Sequence, residues 1–345
     1  MAADRVLLPL AEAQQPLFAG VDLGGTNVKA ALVDDRGRLV AFHTEPTRAE
    51  RGPEDAAARM GRAVHTLAAH AGIATADIAR VGLGSPGPLD IPQGTIVRAG
   101  NLPGWDGFPL RDRVAAHAGR DVTFANDANA AGYGEFWVGS AKGASSLVLL
   151  TLGTGVGGGI IIGDVNVEGA HSHGSECGHI LVDPSAAARM CPCGQPGHLE
   201  AYTSATSVKA VARERLSAGA GGTLAAAVAA DEELTPLVIA REAERGDALA
   251  TGVLMDAARW LGIGIVTLMH AVDPEVVVIG GAMTFGREAN PVGRAFLERV
   301  RQEVRDRAFP VLAERTTIRY ASLGGDAGSI GAAGLARLDH RRSRG

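Results

Sequence analysis

Lysine is nearly missing from this chain of 345 residues: it stands only at 29, 142 and 209, while arginine is abundant. Basic residues number 33 against 38 acidic ones, a net charge of −5. That balance gives no electrostatic case for nucleic acid or a membrane surface, and neither is expected as a partner. Cysteine is also scarce. The three present, Cys177, Cys191 and Cys193, fall in one short segment, a pattern that argues against a disulfide framework and for a metal site in a reducing compartment. Long apolar runs are absent as well. The opening MAADRVLLPLAEAQQP has too small an apolar patch for a signal-peptide core, and the longest apolar stretch, Trp260 to Val272, has the length of a buried helix and carries His270. A cytoplasmic protein is expected.

What remains is an ordinary globular composition, 46% hydrophobic and 21% charged, long enough for two domains with substantial cores. Residues 1–16 read as a flexible leader. Residues 17–33 read as strand, glycine-rich turn, strand, and 147–163 repeat that pattern, with Leu23-Gly24 matched by Leu152-Gly153 at a distance of 129 positions. One supersecondary unit used twice predicts two related halves with a ligand between them. Helices are expected over 54–72, 109–118, 128–138, 205–216, 223–245, 247–270, 291–307 and 326–337. Strands are expected over 78–84, 121–125, 276–279 and 316–321, with a loop at 95–107 carrying Trp105. The tail HRRSRG reads as a solvated end.

The segment from Glu176 to Glu200 is the richest in chemistry. It holds His179, Cys191, Cys193 and His198. Two thiolates and two imidazoles fill a tetrahedral Zn²⁺ shell and leave no open position for a water nucleophile, so this zinc would be structural. His171, His173 and Cys177 compete as ligands, although Cys177 also suits a small buried apolar position. Glu176 and Glu200 bracket the set and are the best candidates for fixing sugar-like hydroxyls.

Asp22-Leu-Gly24-Gly25-Thr26-Asn27 sits on a hairpin tip. Glycines there let backbone N–H groups close around an anion, Thr26 and Asn27 add donors, and Asp22 can hold Mg²⁺ through water. The same residues also make a good plain β-turn. The second tip, Gly153-Thr154-Gly155-Val156-Gly-Gly-Gly159, has more glycine than a turn needs, which favours phosphate binding by the pair. Gly280-Gly281 follows a buried strand, either as a nucleotide-facing loop or as a simple connection. Asn126-Asp127 lies between a strand and a helix, where Asp127 is either a general base or the helix N-cap.

These motifs, with Gly84-Ser-Pro-Gly87-Pro88, run in order from about residue 18 to 337 and together resemble the ROK family of sugar kinases and sugar-responsive repressors. The resemblance implies an α/β, actin-like ATPase (ribonuclease H-like) fold of two domains, with a duplicated core and the active site in the interdomain cleft. It implies a small domain of 17–125 plus about 326–345 and a large domain of 126–325 carrying the zinc loop and a helical region. Asp127 would be the catalytic base on a hexose primary hydroxyl. Gly87, Asn101, Asn126, Glu176, His179 and Glu200 would bind the sugar, with His179 also on zinc. Asp22, Gly24, Gly25, Thr26, Asn27, Lys29, Gly153, Thr154 and Gly155 would hold the ATP phosphates with Mg²⁺, and Gly280 and Gly281 would lie near adenosine. The family usually has a third cysteine where His198 stands. Its repressors carry an N-terminal helix-turn-helix domain, for which the residues ahead of Asp22 leave no room. The expectation is therefore a glucokinase-type enzyme, a homodimer or homotetramer, with a kinase for another hexose, a polyphosphate-using enzyme or a non-catalytic sugar sensor as alternatives.

Overall fold

The structure, a computed structural model, describes residues 5–98, 102 and 104–344. The first half runs β1 (Leu17–Leu23), β2 (Asn27–Val33), β3 (Leu39–Pro46), α1 (Pro53–Ala71), β4 (Ile78–Ser85), the short pair β5 (Leu89–Asp90) and β6 (Thr95–Ile96), α2 (Leu110–Ala118), β7 (Val122–Asn126) and α3 (Asp127–Trp137). The second half runs β8 (Ser146–Leu152), β9 (Val156–Ile162), β10 (Val165–Asn166), α4 (Glu200–Thr203), α5 (Ala205–Ser217), α6 (Thr223–Ala229), α7 (Pro236–Glu244) and α8 (Ala248–Val272). It ends with β11 (Val276–Gly281), α9 (Pro291–Arg307), α10 (Pro310–Arg315), β12 (Thr317–Tyr320) and α11 (Ala327–Arg342).

The expected duplication is present. One five-stranded sheet has the order β3-β2-β1-β4-β7 and the other β10-β9-β8-β11-β12, the same order twice. In the first, β1 pairs antiparallel with β2 and parallel with β4. In the second, β11 pairs parallel with both β8 and β12. The paired tips match residue for residue: β1, its turn and β2 have the same lengths as β8, its turn and β9. β1 and β8 are buried almost throughout, as strands covered on both faces must be.

The chain divides into two compact units, Met1–Ala144, Gly159–Ser175 and Ser322–Gly345 in one, Ser145–Gly158 and Glu176–Ala321 in the other. Residues 126–144 and 159–175 thus group with the first unit, unlike the boundary at 125–126 drawn from sequence. In the first unit the small-residue helix α11 lies directly on the sheet. A Cβ on Gly20 would run into the backbone of Ser329 and Ala333, so only glycine permits that approach. The second unit is organised around α8, capped by Asp247, whose side chain accepts from the Ala250 N–H. By length and composition α8 could cross a membrane, but 56% of its most apolar window is buried inside the protein.

Four local expectations change. Residues 223–245 form two helices, because Asp231 adopts a left-handed conformation and Pro236 starts a new helix with Thr235 as its cap. β3 carries weak alternation and was not expected. The cap of α3 is Asn126, whose side chain accepts from the Ala128 and Asn129 N–H groups, so Asp127 is not the N-cap. Residues 5–16 are anchored rather than a flexible leader. Arg5 pairs with Asp326 at 2.7 Å, Leu8 N–H donates to Leu39 O at 2.7 Å, and Gln14 N–H donates to Asp34 at 3.1 Å.

Candidate active site

The first unit brings Asp22 and Asp127 together. Asp22 is the penultimate residue of β1, Asp127 opens α3, and β4 passes between them: a Cβ on Gly84 would lie 3.8 Å from Asp22 Oδ1 and 3.6 Å from Asp127 Cα. Burial pushes the Asp22 carboxyl up to about 7. The nearby Asp127 charge adds to the rise, and Lys29, its cross-strand partner, opposes it. Carboxylates that feel one another's charge favour a nearby cation, and carboxylate oxygens are ligands a hydrated Mg²⁺ takes. Lys29 donates to Gly325 O at 2.6 Å, so its ammonium is tied to the loop before α11. Gly87 stands beside Asn126: a Cβ there would lie 3.4 Å from Asn126 Nδ2. Asn101 lies outside the described residues.

The first tip turns between β1 and β2 with Gly24 N–H donating to Asn27 O at 3.0 Å. Gly25, Thr26 and Asn27 are exposed. From behind, Thr47 N–H donates to Thr26 O at 2.8 Å and Thr47 Oγ1 donates to Gly24 O at 2.5 Å. Thr47 is fully buried, and the buried Arg59 of α1 donates to its carbonyl. Sequence reasoning missed both residues. The available signal was an arginine on the apolar stripe Ala56, Met60, Ala63, Leu67 of α1, where a charge must be paired to be tolerated.

The second tip, in the other unit, is braced in a parallel way. Ala205 N–H donates to Gly153 O at 2.8 Å and Thr206 Oγ1 donates to Thr154 O at 2.9 Å. Val156 N–H donates to Glu200 Oε2 at 2.8 Å, and a Cβ on Gly155 would collide with that carboxylate. Gly281, at φ 89°, lies on the backbone of Leu152, so the third glycine pair flanks this tip and ends β11 as part of the sheet.

The zinc candidates His179, Cys191, Cys193 and His198 converge, their ligand atoms all within 4.8 Å of one another. Nδ1 of His179 is 3.4 Å from Nδ1 of His198 and 3.8 Å from Cys191 Sγ, while Cys193 Sγ is 3.2 Å from His198 Nδ1. A tetrahedral zinc with bonds of about 2.0–2.3 Å has ligand-to-ligand edges of roughly 3.3–3.8 Å. The set therefore fits the ion. Two chain bridges, Leu181 with His198 and Met190 with Pro196, fold the loop onto itself and supply this closeness. Cys177 is buried outside the cluster, with its thiol pushed up to about 12 by desolvation first and by Glu176 second. Glu200 Oε1 lies 3.8 Å from Cys191 Sγ, so this one side chain joins the cluster to the second tip. Glu176 is exposed, and its carbonyl accepts from His179 N–H at 3.0 Å.

Comparisons with known proteins show the family. The family model described as ROK family matches residues 18–338. A glucokinase of Halalkalibacterium halodurans is 34% identical over 93% of this chain and 94% of its own length. The solved ROK hexokinase of Thermus thermophilus is 33% identical, covers 94% of this chain and 99% of that one, and superposes with a TM-score of 0.78. The ROK family glucokinase of Streptomyces griseus, solved with glucose and AMPPNP, is 32% identical, covers 93% and 99%, and superposes at 0.75. The chain belongs to the ROK family.

Proposed function

We infer that the chain is an ATP-dependent sugar kinase that moves the γ-phosphoryl group of ATP to the 6-hydroxyl of a hexose, with glucose as the preferred acceptor. The observation that carries this reading is the electrostatic coupling of Asp22 to Asp127 beside the first glycine tip, in a chain similar over 93% of its length to a glucokinase solved with glucose and AMPPNP. Asn126 is the cap of α3, and Asp127, whose Oδ1 accepts from Ala128 N–H at 2.8 Å, removes the proton of the attacking hydroxyl. Asn126, Gly87, Asn101, Glu176 and Glu200 bind sugar hydroxyls. His179 gives Nδ1 to the metal and Nε2 to the sugar.

Both tips hold the donor phosphates through backbone N–H groups, with Thr26, Asn27, Thr154 and Lys29 at their edges, and Gly280-Gly281 lies by the adenosine. Mg²⁺, when bound, neutralises developing charge on the phosphates, and Asp22 holds it through water. Zn²⁺, held by His179, Cys191, Cys193 and His198, shapes the sugar-binding loop and takes no part in phosphoryl transfer. A homodimer or homotetramer in the cytoplasm completes the proposal.

Asp127→Ala tests it. Turnover is expected to fall by a factor on the order of 10²–10⁴, the usual worth of a general base, with glucose affinity by calorimetry within about threefold of wild type. Turnover near wild type would remove Asp127 from the mechanism.

A further inference from the structure

We propose that Thr47, backed by Arg59, is a positioning residue that sets the first glycine tip for nucleotide phosphate; the inference rests on the kinase reading above. Thr47 spends both of its donors on that tip. Its hydroxyl donates to Gly24 O at 2.5 Å and its N–H to Thr26 O at 2.8 Å. Tying carbonyls of the tip from behind keeps partial negative charge off the face an anion approaches, the arrangement an anion-binding concavity of N–H groups requires.

Thr47 is itself held. It is 0% exposed, and its carbonyl accepts from Arg59, whose guanidinium also donates to Pro46 O at 2.8 Å and to Asp55 at 2.8 Å and lies 3.4 Å from Glu45. Arg59 is 4% exposed. A charge buried this deeply is costly unless its hydrogen bonds are satisfied, and here four partners on β3, its following turn and α1 satisfy it. The result is a fixed column, Arg59 to Thr47 to Gly24 and Thr26, ending at a tip whose central residues Gly25 and Thr26 are exposed. The equivalent carbonyl of the second half, Gly153 O, is tied as well, by Ala205 N–H at 2.8 Å. The same need is met twice by unrelated residues, which a requirement of the ligand explains better than inheritance of the turn.

The test uses the intact protein and AMPPNP with Mg²⁺ in calorimetry, alongside steady-state kinetics. Thr47→Val keeps the shape and removes the hydroxyl. Its affinity for AMPPNP and its KM for ATP are expected to weaken on the order of tenfold, the worth of one buried hydrogen bond left unmade. The KM for the sugar should stay within about twofold, and Thr47→Ser should restore nucleotide affinity. Arg59→Lys, which loses the guanidinium fork, should weaken nucleotide in the same selective way. Equal nucleotide affinity in wild type and Thr47→Val overturns the inference alone. A parallel loss of sugar and nucleotide affinity together with a lowered Tm overturns it in favour of a purely structural brace. Absence of AMPPNP binding by wild type overturns the kinase reading and the inference with it.

Discussion

The two glycine tips share a backbone and little else. Gly24 and Gly153 occupy the same place in a strand-turn-strand of equal length, in sheets of the same order. The first tip has Asp22 before it, within reach of the Asp127 charge, and is braced by a fully buried threonine under a buried arginine. The second has Thr151 where Asp22 stands. It is braced by the exposed Thr206, by Ala205 N–H and by Glu200, which in turn lies against Cys191 of the Cys/His cluster. The duplicated feature is the strand-turn-strand itself, which on the proposed reading offers N–H groups to an anion. On the proposed reading, the first half supplies the proton and cation chemistry and the second a metal-braced loop.

The largest expected effect that sharpens this contrast is loss of the metal. The protein as purified should hold one zinc per chain by elemental analysis. Strong chelation or Cys191→Ser should lower the Tm by more than about 5 °C and weaken sugar binding while leaving AMPPNP affinity within about threefold. A stable, active protein without zinc would break the assignment of the second half.

Next comes the pH response of the first half. Asp22 is raised from 3.8 to about 7, chiefly by burial, so the folded state holds its proton more tightly than the unfolded one. That contribution to stability is fully present below about 3.8 and is lost as pH rises through about 7. In metal-free protein, Asp22→Asn should therefore gain Tm relative to wild type between pH 5 and pH 8, while losing turnover. A Tm difference independent of pH would show that Asp22 titrates normally. The smallest effect is expected from Thr206→Val, since its hydrogen bond is exposed and Ala205 N–H still holds Gly153. ATP KM should change by less than about threefold, against the tenfold of Thr47→Val. Equal effects would erase the distinction between the two braces.

Much of this was legible in the sequence, for identifiable reasons. Apolar runs around glycine-rich turns name strands wherever a strand is buried on both faces, so β1, β2, β8 and β9 could be read and their repeat found. β3, half-exposed with weak alternation, could not. Composition suggested one helix over 223–245, and only the local chemistry of Asp231 and Thr235-Pro236 divides it. In the site, ligand spacing pointed to His179, Cys191, Cys193 and His198, because side chains that must meet one ion leave a chemical signature. Asp127 was ambiguous because an aspartate between a strand and a helix suits either a general base or an N-cap, and the hydrogen bonds of Asn126 show which residue caps α3. Thr47 and Arg59 left almost no trace: a threonine that bonds backbone carbonyls looks like any other threonine.

The central claim is most directly tested by ADP release from wild-type protein across a panel of glucose, mannose, fructose and N-acetylated aminosugars, each with ATP-Mg²⁺ and with polyphosphate as donor. The account predicts sugar-dependent release of ADP from ATP, fastest with glucose and yielding glucose phosphorylated at the 6-hydroxyl. Sugar binding without phosphoryl transfer to any member of the panel from either donor would contradict it and identify a sensor.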